Sequence, residues 1–499
     1  MKAKIYSLIK YILESNIILP LFMTIWCILN IFFAEKLPAN NGIGWDGLKY
    51  ASIARDYLNS SQIDNYIIMR IFPSTLVHIF CDVFSISYTD YNIIKGFEIL
   101  NMICLVTSVV FVKKIFVVLD IKFKNQLLGF TLLFISYPVL KFNFFYPVMT
   151  DTSAFVLSII LLYCFLKNQV VNLVLISSIG FFTFPTIFYM GIIMLLFPIN
   201  FSEWKPIVKS KQILISVLSS LYIVVIIYYF TLIIHANTEM YGAMKINYQL
   251  IYLSIALIVL LYYFLPVMVF NSDFFDINYL IQQIKINRIL LAIFIFSLLL
   301  TLKNELNLYD RHCSNFTIEN MLKTDNVYNI TEPLMPIISD GTYFGSVILL
   351  LLLFWSTFSK TIANYGLGLV LSFLFILYAL STTTESRCII NLFPWLVIFL
   401  VKGLNQYNFN RLFYFTIFII NIILSKIWLS VNYDMSCGLD KNGTIAFPNQ
   451  KFFMNLGPWM SKEMWLLQGI VLAVFLTIIF FILNRIEIKN GIRSIKKFS

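Results

Sequence analysis

The chain has 499 residues, of which 60% are hydrophobic and only 12% are charged, and its mean hydropathy is +0.84. A soluble protein of this length needs more charged residues to cover its surface, so the composition excludes a soluble globular fold. The net charge of +11 arises from basic residues grouped between apolar segments and near both ends, which indicates membrane orientation rather than nucleic-acid binding.

Apolar segments recur along the whole chain, and many approach the roughly 20 residues that a helix needs to cross a bilayer. They are continuous runs of Leu, Ile and Phe without the alternation of a transmembrane β-strand, so they predict helices. The sequence therefore predicts an all-α polytopic membrane protein, a single domain over 1–499 with about 12–14 transmembrane helices. Short amphipathic helices are expected in its extracytoplasmic loops.

The first apolar segment, 16–33, follows three lysines and lacks a small-residue cleavage site, which predicts an uncleaved helix starting in the cytoplasm. Further lysines group at 113–124 and 205–211, and a basic tail follows the last apolar segment, 464–483. By the positive-inside rule these groups mark the cytoplasmic face. Both termini are therefore expected in the cytoplasm, and the chain in a bacterial inner membrane.

Three predicted extracytoplasmic loops are long enough to fold outside the bilayer: 34–91, 303–342 and 430–463. No GxxxxGK[ST] run is present, which disfavours transport driven by ATP in this chain alone. No clear internal repeat is present either, which disfavours a secondary transporter built from repeats. The 7 cysteines are scattered and the 3 histidines lie far apart, so the sequence supports no zinc site, haem site or disulfide framework.

The first loop contains a stretch, beginning at Trp45, with the pattern of an amphipathic helix. Five side chains at three- and four-residue spacing would share one helix face: Asp46, Lys49, Tyr50, Ile53 and Tyr57. This pattern predicts a helix at the outer membrane surface with a carboxylate at its N-terminal end. The spacing leaves two interpretations open, because Asp46 could simply cap the helix or could carry chemistry.

The residues Asp46-Gly47-x-x-Tyr50-x-x-Ile53-Ala54 resemble the D-G-x-x-Y-x-x-I-A motif of bacterial integral-membrane glycosyltransferases of the GT-C class. In similar sequences a short segment with Arg-Ile and a proline follows, as Arg70-Ile71-Phe72-Pro73 does here. A later outer loop of that class often carries a second acid, where this chain has Asp151. The resemblance extends to about residue 170. Two departures are Lys49, where an aromatic residue or Gln is common, and the absence of a paired acidic dipeptide at Asp46.

The resemblance implies transfer of a sugar from a polyprenyl-phosphate donor to a hydroxyl of a surface glycan or glycolipid on the extracytoplasmic face. A hydroxyl is a weak nucleophile, and a carboxylate acting as general base contributes on the order of 10²–10⁴-fold. Asp46 is the expected base, with Asp151 as its partner in orienting the acceptor or binding a metal. The two acids could hold one Mg²⁺ or Mn²⁺ ion, although their spacing does not require it. Asp340 is better explained as a turn and helix cap than as a third acid.

The leaving group of such a reaction is a lipid phosphate, whose charge calls for an Arg or Lys near the membrane surface. Arg387, at the predicted start of an outer helix, is the first candidate, and Arg70 and Lys141 are the next. Tyr50 and Lys49 of the motif are also expected to bind substrate. The alternative for each basic residue is that it only reaches toward lipid headgroups from a helix end.

Two other functions remain open at the level of sequence. An O-antigen or capsule polymerase also has many spans and large outer loops, but its outer loops are expected to be rich in Arg, and these are poor in it. A flippase or transporter for lipid-linked oligosaccharides would carry charged residues inside several spans, which hold almost none here. The sequence favours a transferase. Its expected partners are the lipid bilayer, the donor and the acceptor, without nucleic acid.

Overall fold

The structure is a computed structural model of the chain, and it describes residues 17–57, 65–236, 250–307, 332–380, 385–431, 450–453 and 460–495. Every regular element within these ranges is helical. Long runs of Leu, Ile, Val and Phe can satisfy their backbone hydrogen bonds without water only as helices or closed barrels. The prediction of an all-α chain is confirmed.

In the first part of the chain a segment of π-helix, Pro138–Phe142, leads directly into α7. The helices of this part are α1 (Ile18–Phe33), α2 (Gly47–Asp56), α3 (Asn65–Ile68), α4 (Ile71–Val83), α5 (Asp90–Val118), α6 (Phe123–Phe134), α7 (Asn143–Phe145), α8 (Asp151–Leu166), α9 (Val170–Phe181) and α10 (Pro185–Leu196).

In the second part a short 3-10 helix, Ser386–Ile389, precedes α18. The helices of this part are α11 (Lys209–Ala236), α12 (Ile251–Phe264), α13 (Ile277–Gln283), α14 (Ile286–Asn307), α15 (Met335–Phe344), α16 (Ser346–Ala363), α17 (Leu367–Leu380), α18 (Phe393–Gly403), α19 (Arg411–Leu424), α20 (Gln450–Phe453) and α21 (Lys462–Ile495).

Among the described residues, 6 helices are long and apolar enough to cross a bilayer: α5, α11, α12 with the 3-10 helix that continues it to Val269, α14, α16 and α21. A seventh candidate is α6 together with Pro138–Phe145, which are bent by 52° relative to each other. Further apolar helices, such as α1 and α8, have 10–17 residues and are shorter than a straight span. The chain is thus a polytopic helical membrane protein, and the number of about 12–14 spans stays a prediction.

The three predicted outer loops are described to different extents. Loop 34–91 is described except for 58–64, whereas much of 303–342 and 430–463 lies outside the described residues. The two ends of the chain, 1–16 and 496–499, also lie outside them, together with the first basic group. The orientation of the termini therefore stays a prediction.

The helix bundle has two ends of different character. One end, called the Asp46 end below, contains Asp46, Asp151 and the 3-10 helix Ser386–Ile389. At the opposite end lysines hold neighbouring helix ends together: Lys122 Nζ donates to the Asn405 carbonyl at 2.8 Å and Lys402 Nζ to the Leu119 carbonyl at 2.5 Å.

Backbone contacts fix the chain between α1 and α2 at the Asp46 end. The Leu37 N–H donates to the Phe145 carbonyl at 2.7 Å, and Lys36 Nζ donates to the Phe144 carbonyl at 2.9 Å. Lys36 also forms an ion pair with Glu98 of α5, whose side chain has no exposed surface. Lys95 forms a second ion pair with Glu98, at 2.8 Å. This ion-pair cluster ties the end of α1, α5 and the segment before α8 to one another.

Helix α2 packs against α4 and α5 through the apolar side of its sequence. Tyr50, Ile53 and Ala54 are buried, whereas Leu48 and Asp56 are exposed. At the C-terminal end of α2, Arg55 Nη2 pairs with Asp90 Oδ1 at 2.6 Å. The C-terminal end of the helix is therefore held, which helps to fix the position of Asp46 immediately before the helix.

Candidate functional site

Asp46 stands at the start of α2, in the position of a helix cap. Its side chain nevertheless makes no capping hydrogen bond. Instead, Asp46 Oδ2 accepts a hydrogen bond from Nη2 of Arg387 at 2.5 Å, and the side chain keeps 50% of its exposure. Asp46 thus has the sequence position of a helix cap, but its carboxylate does not hydrogen-bond to the backbone of the helix.

The capping role is carried by Tyr146. Its phenol oxygen accepts hydrogen bonds from the backbone N–H groups of Asp46 at 2.9 Å and Gly47 at 3.4 Å. Gly44 makes this close approach possible, because its φ is +80° and a Cβ there would lie 2.1 Å from the Tyr146 ring. The buried Tyr146 thus satisfies donors that an Asp side chain would otherwise serve.

Arg387 joins two carboxylates. It lies in the 3-10 helix before α18, its Nη2 contacts Asp46, and its Nε donates to Glu385. Its Nη1 lies 3.7 Å from the Met149 sulfur, and the side chain is 23% exposed. This guanidinium still reaches solvent, so a phosphate could compete with Asp46 for it.

Arg70 forms a second, more deeply buried cation. Its guanidinium lies 4.5 Å from the centre of the Tyr66 ring and 4.6 Å from that of Phe184. Its side chain also hydrogen-bonds to Tyr50 on α2. The Nε of Arg70 has no hydrogen-bond partner among the described residues, so one buried donor of this group is unused.

Asp151, the first residue of α8, lies behind these groups. It is 3% exposed, and neither carboxylate oxygen has a hydrogen-bond partner in the described part of the chain. Arg387 and Arg70 are near enough to act on its charge. It also lines a cavity of about 10 Å³ with Asn143 and Thr152, which is room for one water molecule. Asp151 is therefore a buried acid whose two carboxylate oxygens can still accept hydrogen bonds from a ligand or a water molecule.

The electrostatics of the site favour the ionised form of Asp46. Partial burial would raise the pKa of this carboxyl, but Arg387, followed by Arg70 and Lys49, outweighs it and holds the pKa below its ordinary value. Asp46 is therefore a carboxylate at neutral pH, able to accept a hydrogen bond from a hydroxyl.

The described side chains of the site do not by themselves form a metal site of three or more ligands. Among the residues the structure describes, no three His, Cys, Asp or Glu side chains are grouped so that they could hold one. Asp46 and Glu385 both approach the guanidinium of Arg387, which supplies the positive charge between them. A Mg²⁺ or Mn²⁺ ion is often held by one or two carboxylates together with water and substrate phosphate, so a metal ion at Asp46 and Asp151 stays a prediction.

The structure brings most of the sequence-predicted site residues together: Asp46, Tyr50, Arg70, Asp151 and Arg387. Lys49 lies beside them on α2 and contributes to the field at Asp46. Lys141 lies elsewhere, 5.5 Å from the centre of the Phe453 ring, and the charge that acts on it is that of Glu35. Its assignment to the phosphate of this site receives no support from the geometry.

Three residues that contribute to the site were not predicted from the sequence. Glu385 stands two residues before Arg387, and that spacing was its only signal. Tyr66 and Tyr146 belong to no motif, and the chain has 28 Tyr and 49 Phe. One aromatic residue in such a sequence gives little information about function. Their roles depend on contacts between distant segments, which no local pattern encodes.

No protein-family model matches this chain, and neither a curated protein nor a solved structure does. The chemistry proposed for the site therefore depends on the residues of this chain and on the motif that begins at Asp46.

Proposed function

We propose that this chain is a membrane glycosyltransferase of GT-C type that uses a polyprenyl-phosphate sugar donor. The observation that carries the proposal is the carboxylate of Asp46, which takes no part in capping because Tyr146 serves the backbone, and which pairs with Arg387. An ionised acid next to two guanidinium groups supplies what such a transfer needs, a proton acceptor and charge stabilisation for a phosphate leaving group. The acceptor is a hydroxyl of a surface glycan or glycolipid.

In the proposed reaction the acceptor hydroxyl oxygen attacks C1 of the donor sugar and forms the new glycosidic bond. The bond between C1 and the phosphate oxygen breaks, and its electron pair leaves with the polyprenyl phosphate. Asp46 takes the hydroxyl proton, while Arg387 and Arg70 stabilise the charge on the phosphate. Direct displacement inverts the configuration at C1. The unpartnered carboxyl of Asp151 orients the acceptor.

The contact between Arg387 and Asp46 suggests how donor binding prepares the base. While Arg387 holds Asp46, the pKa of the carboxyl is low and the group is a weak proton acceptor. A donor phosphate that draws Arg387 away leaves Asp46 with a higher pKa and a stronger affinity for the hydroxyl proton. The base thus becomes effective only when a donor is present.

The proposed setting is a bacterial inner membrane with the Asp46 end on the extracytoplasmic face. The full architecture would have about 12–14 spans, both termini in the cytoplasm and amphipathic helices such as α2 in the outer loops. The lysines at the opposite end, Lys122 and Lys402 among them, support this orientation by the positive-inside rule.

A glycan polymerase is the second candidate, and one observation favours it. Arg70 and Arg387 act on the same two acids, Asp46 and Asp151, so two cations converge on one site although the outer loops are poor in Arg. Two guanidinium groups would suit the diphosphate of a lipid-linked repeat unit. The two candidates differ in the product that disappears when the protein is lost.

The test is mass spectrometry of the host's surface polysaccharide with and without the gene, and with Asp46→Asn restored. Asp56→Asn, an exposed acid at the other end of α2, is the matched control. A transferase predicts that one sugar per repeat is lost on deletion, restored by wild type and Asp56→Asn, and not by Asp46→Asn. Complete repeats that no longer polymerise would establish the polymerase instead. Full rescue by Asp46→Asn would remove Asp46 from the chemistry.

A further inference from the structure

The short helix α20, in the loop 430–463, places one aromatic ring inside the helix bundle. The side chain of Phe453 is only 1% exposed. Its ring contacts the rings of Phe145 and Tyr137, with centroids 5.4 Å and 6.4 Å away. A loop residue that is buried to this degree packs its loop against the bundle.

Two side chains also hold the backbone of α20. The phenol of Tyr137 donates to the Phe453 carbonyl at 3.0 Å, and Lys426 Nζ donates to the Phe452 carbonyl at 2.6 Å. Lys426 Nζ in turn lies 4.5 Å from the centre of the Tyr137 ring. Two consecutive carbonyls are therefore bound by side chains from two other segments, so the position of Phe453 does not depend on its ring alone.

The Phe453 ring adjoins the segment that carries Tyr146. Its neighbour Phe145 immediately precedes Tyr146 in the chain, and the Phe142 ring contacts both, at 5.5 Å from Phe145 and 5.7 Å from Tyr146. All four side chains are buried. Close-packed interiors transmit a displacement from one side chain to the next, so the Tyr146 ring depends on the packing of Phe453.

The hydrogen bonds that Tyr146 accepts are sensitive to such a displacement. The backbone of its segment is held by Leu37 and Lys36, but the phenol oxygen lies at the end of a ring, whose position depends on the neighbouring rings. The N–H groups of Asp46 and Gly47 lie 2.9 Å and 3.4 Å from this oxygen. The longer contact is already near the limit for a hydrogen bond, so a shift of a few tenths of an ångström is enough to break it.

We propose that Phe453 is a positioning residue, which holds Tyr146 against the start of α2 and thereby fixes Asp46. The loop 430–463 then contributes to the geometry of the candidate site through packing. The effect of Phe453 on the two N–H groups does not depend on the proposed function, whereas its effect on sugar transfer rests on that function.

Hydrogen-exchange mass spectrometry of the full chain in detergent measures the first effect. In Phe453→Ala, the peptide that covers Asp46 and Gly47 should exchange about fivefold faster, because a hydrogen bond of the Tyr146 cap is weakened. Phe453→Leu keeps most of the apolar volume and should exchange like wild type. The exchange of this peptide in Tyr146→Phe gives the expected upper limit.

Phe409→Ala is the matched control. Phe409 is also a buried ring, 7% exposed and stacked on Phe413 with centroids 4.2 Å apart. It lies between α18 and α19, in the connection that contains Asn405 of the opposite end. Its removal should lower the melting midpoint while leaving the exchange of the Asp46 peptide unchanged, which separates positioning from general loss of stability.

Steady-state transfer measures the second effect. In Phe453→Ala we expect kcat to fall about fivefold with KM little changed, and to recover in Phe453→Leu. Because Phe453 acts through Tyr146, Phe453→Ala should lower kcat no further when it is added to Tyr146→Phe. A further fall in the double variant would contradict the route through Tyr146.

Unchanged exchange at Asp46 and Gly47 in Phe453→Ala would overturn the proposal, whether or not the chain transfers a sugar. Equally fast exchange in Phe409→Ala would reduce the effect to a loss of stability and would also overturn it. If the exchange responds as expected but the wild type transfers no sugar, the positioning role of Phe453 stands and the proposed function fails.

Discussion

The phenol oxygen of Tyr146 accepts a hydrogen bond from the backbone N–H of Asp46 at 2.9 Å, across 100 residues of sequence. This one contact caps α2 from another segment of the chain. It also leaves the Asp46 carboxylate free to meet Arg387. The position of the proposed base is therefore set by the segment between α7 and α8 as well as by its own helix.

Replacing Tyr146 with Phe keeps the ring against Gly44 but removes the acceptor for two N–H groups. A hydrogen bond of this kind contributes about 1 kcal/mol, so we expect kcat to fall roughly five- to tenfold as Asp46 loses its fixed position, with KM little changed. The measurement is steady-state transfer with membranes containing equal amounts of each variant.

The control for this substitution is Tyr343→Phe. Tyr343 is buried among the same rings, and its hydroxyl has no hydrogen-bond partner within the described residues. Removal of this hydroxyl in Tyr343→Phe should leave the melting midpoint unchanged or slightly raised. If Tyr146→Phe retains full kcat, the cap has no influence on the base.

Arg387 should tolerate no replacement without loss of activity. Lys keeps the charge but cannot contact Asp46 and Glu385 at once, whereas Gln leaves the two carboxylates facing each other without a cation. We expect the donor KM to rise in both variants and kcat to fall further in Arg387→Gln, because an Arg–phosphate contact stabilises the leaving group. Donor-concentration series at saturating acceptor separate the two effects. Arg288→Gln, whose partner Asn168 follows the end of α8 that lies away from the site, is the control.

Glu98 should be essential for stability rather than for chemistry. Its carboxylate is buried between Lys36 and Lys95, so Glu98→Ala leaves two lysines without their counter-ion and should destabilise the fold by about 3–5 kcal/mol. Melting midpoints in detergent measure this effect. Glu203→Ala, exposed at the opposite end, should melt like wild type. A Glu98→Ala protein that melts like wild type would show that the ion pairs of Glu98 with Lys36 and Lys95 do not stabilise the chain between α1 and α2.

The melting midpoint should depend on pH through Asp340. Burial raises the pKa of this carboxyl to about 7, and a hydrogen bond with Ser386 only partly opposes the shift. Because the folded pKa lies above the unfolded one, its contribution to stability is fully present below about pH 4 and is lost as the pH rises through 7. Asp340→Asn should remove this decline, so that the melting midpoint of the variant rises relative to that of wild type between about pH 4 and 7. Parallel midpoint curves would contradict the prediction.

The sequence predicted the helical class and several members of the site for identifiable reasons. Uninterrupted apolar runs admit few other structures in lipid, and the spacing of Asp46 and Tyr50 placed them at one end of a helix. Arg70 and Arg387 were candidates because cations near helix ends suit a phosphate. All four lie together in the structure.

The remaining features depend on contacts that no local pattern records. The choice between a cap and a free carboxylate at Asp46 was undecided because the competing cap, Tyr146, belongs to another segment. Lys141 had the same local signature as Arg387, a base near the end of an apolar segment, yet it lies over Phe453. The bend of 52° between α6 and Pro138–Phe145 was not predicted, because hydropathy averages over a bend.

The contact between Asp46 and Arg387 joins residues 341 positions apart. A ribosome releases Asp46 early and Arg387 only after most of the chain has been made, so the site does not exist during most of synthesis and insertion. A chain that stops before residue 387 can therefore fold many of its helices and still lack the site. Synthesis and folding of the segment that carries Arg387, rather than insertion of the first helices, is the event that creates the catalytic centre we propose.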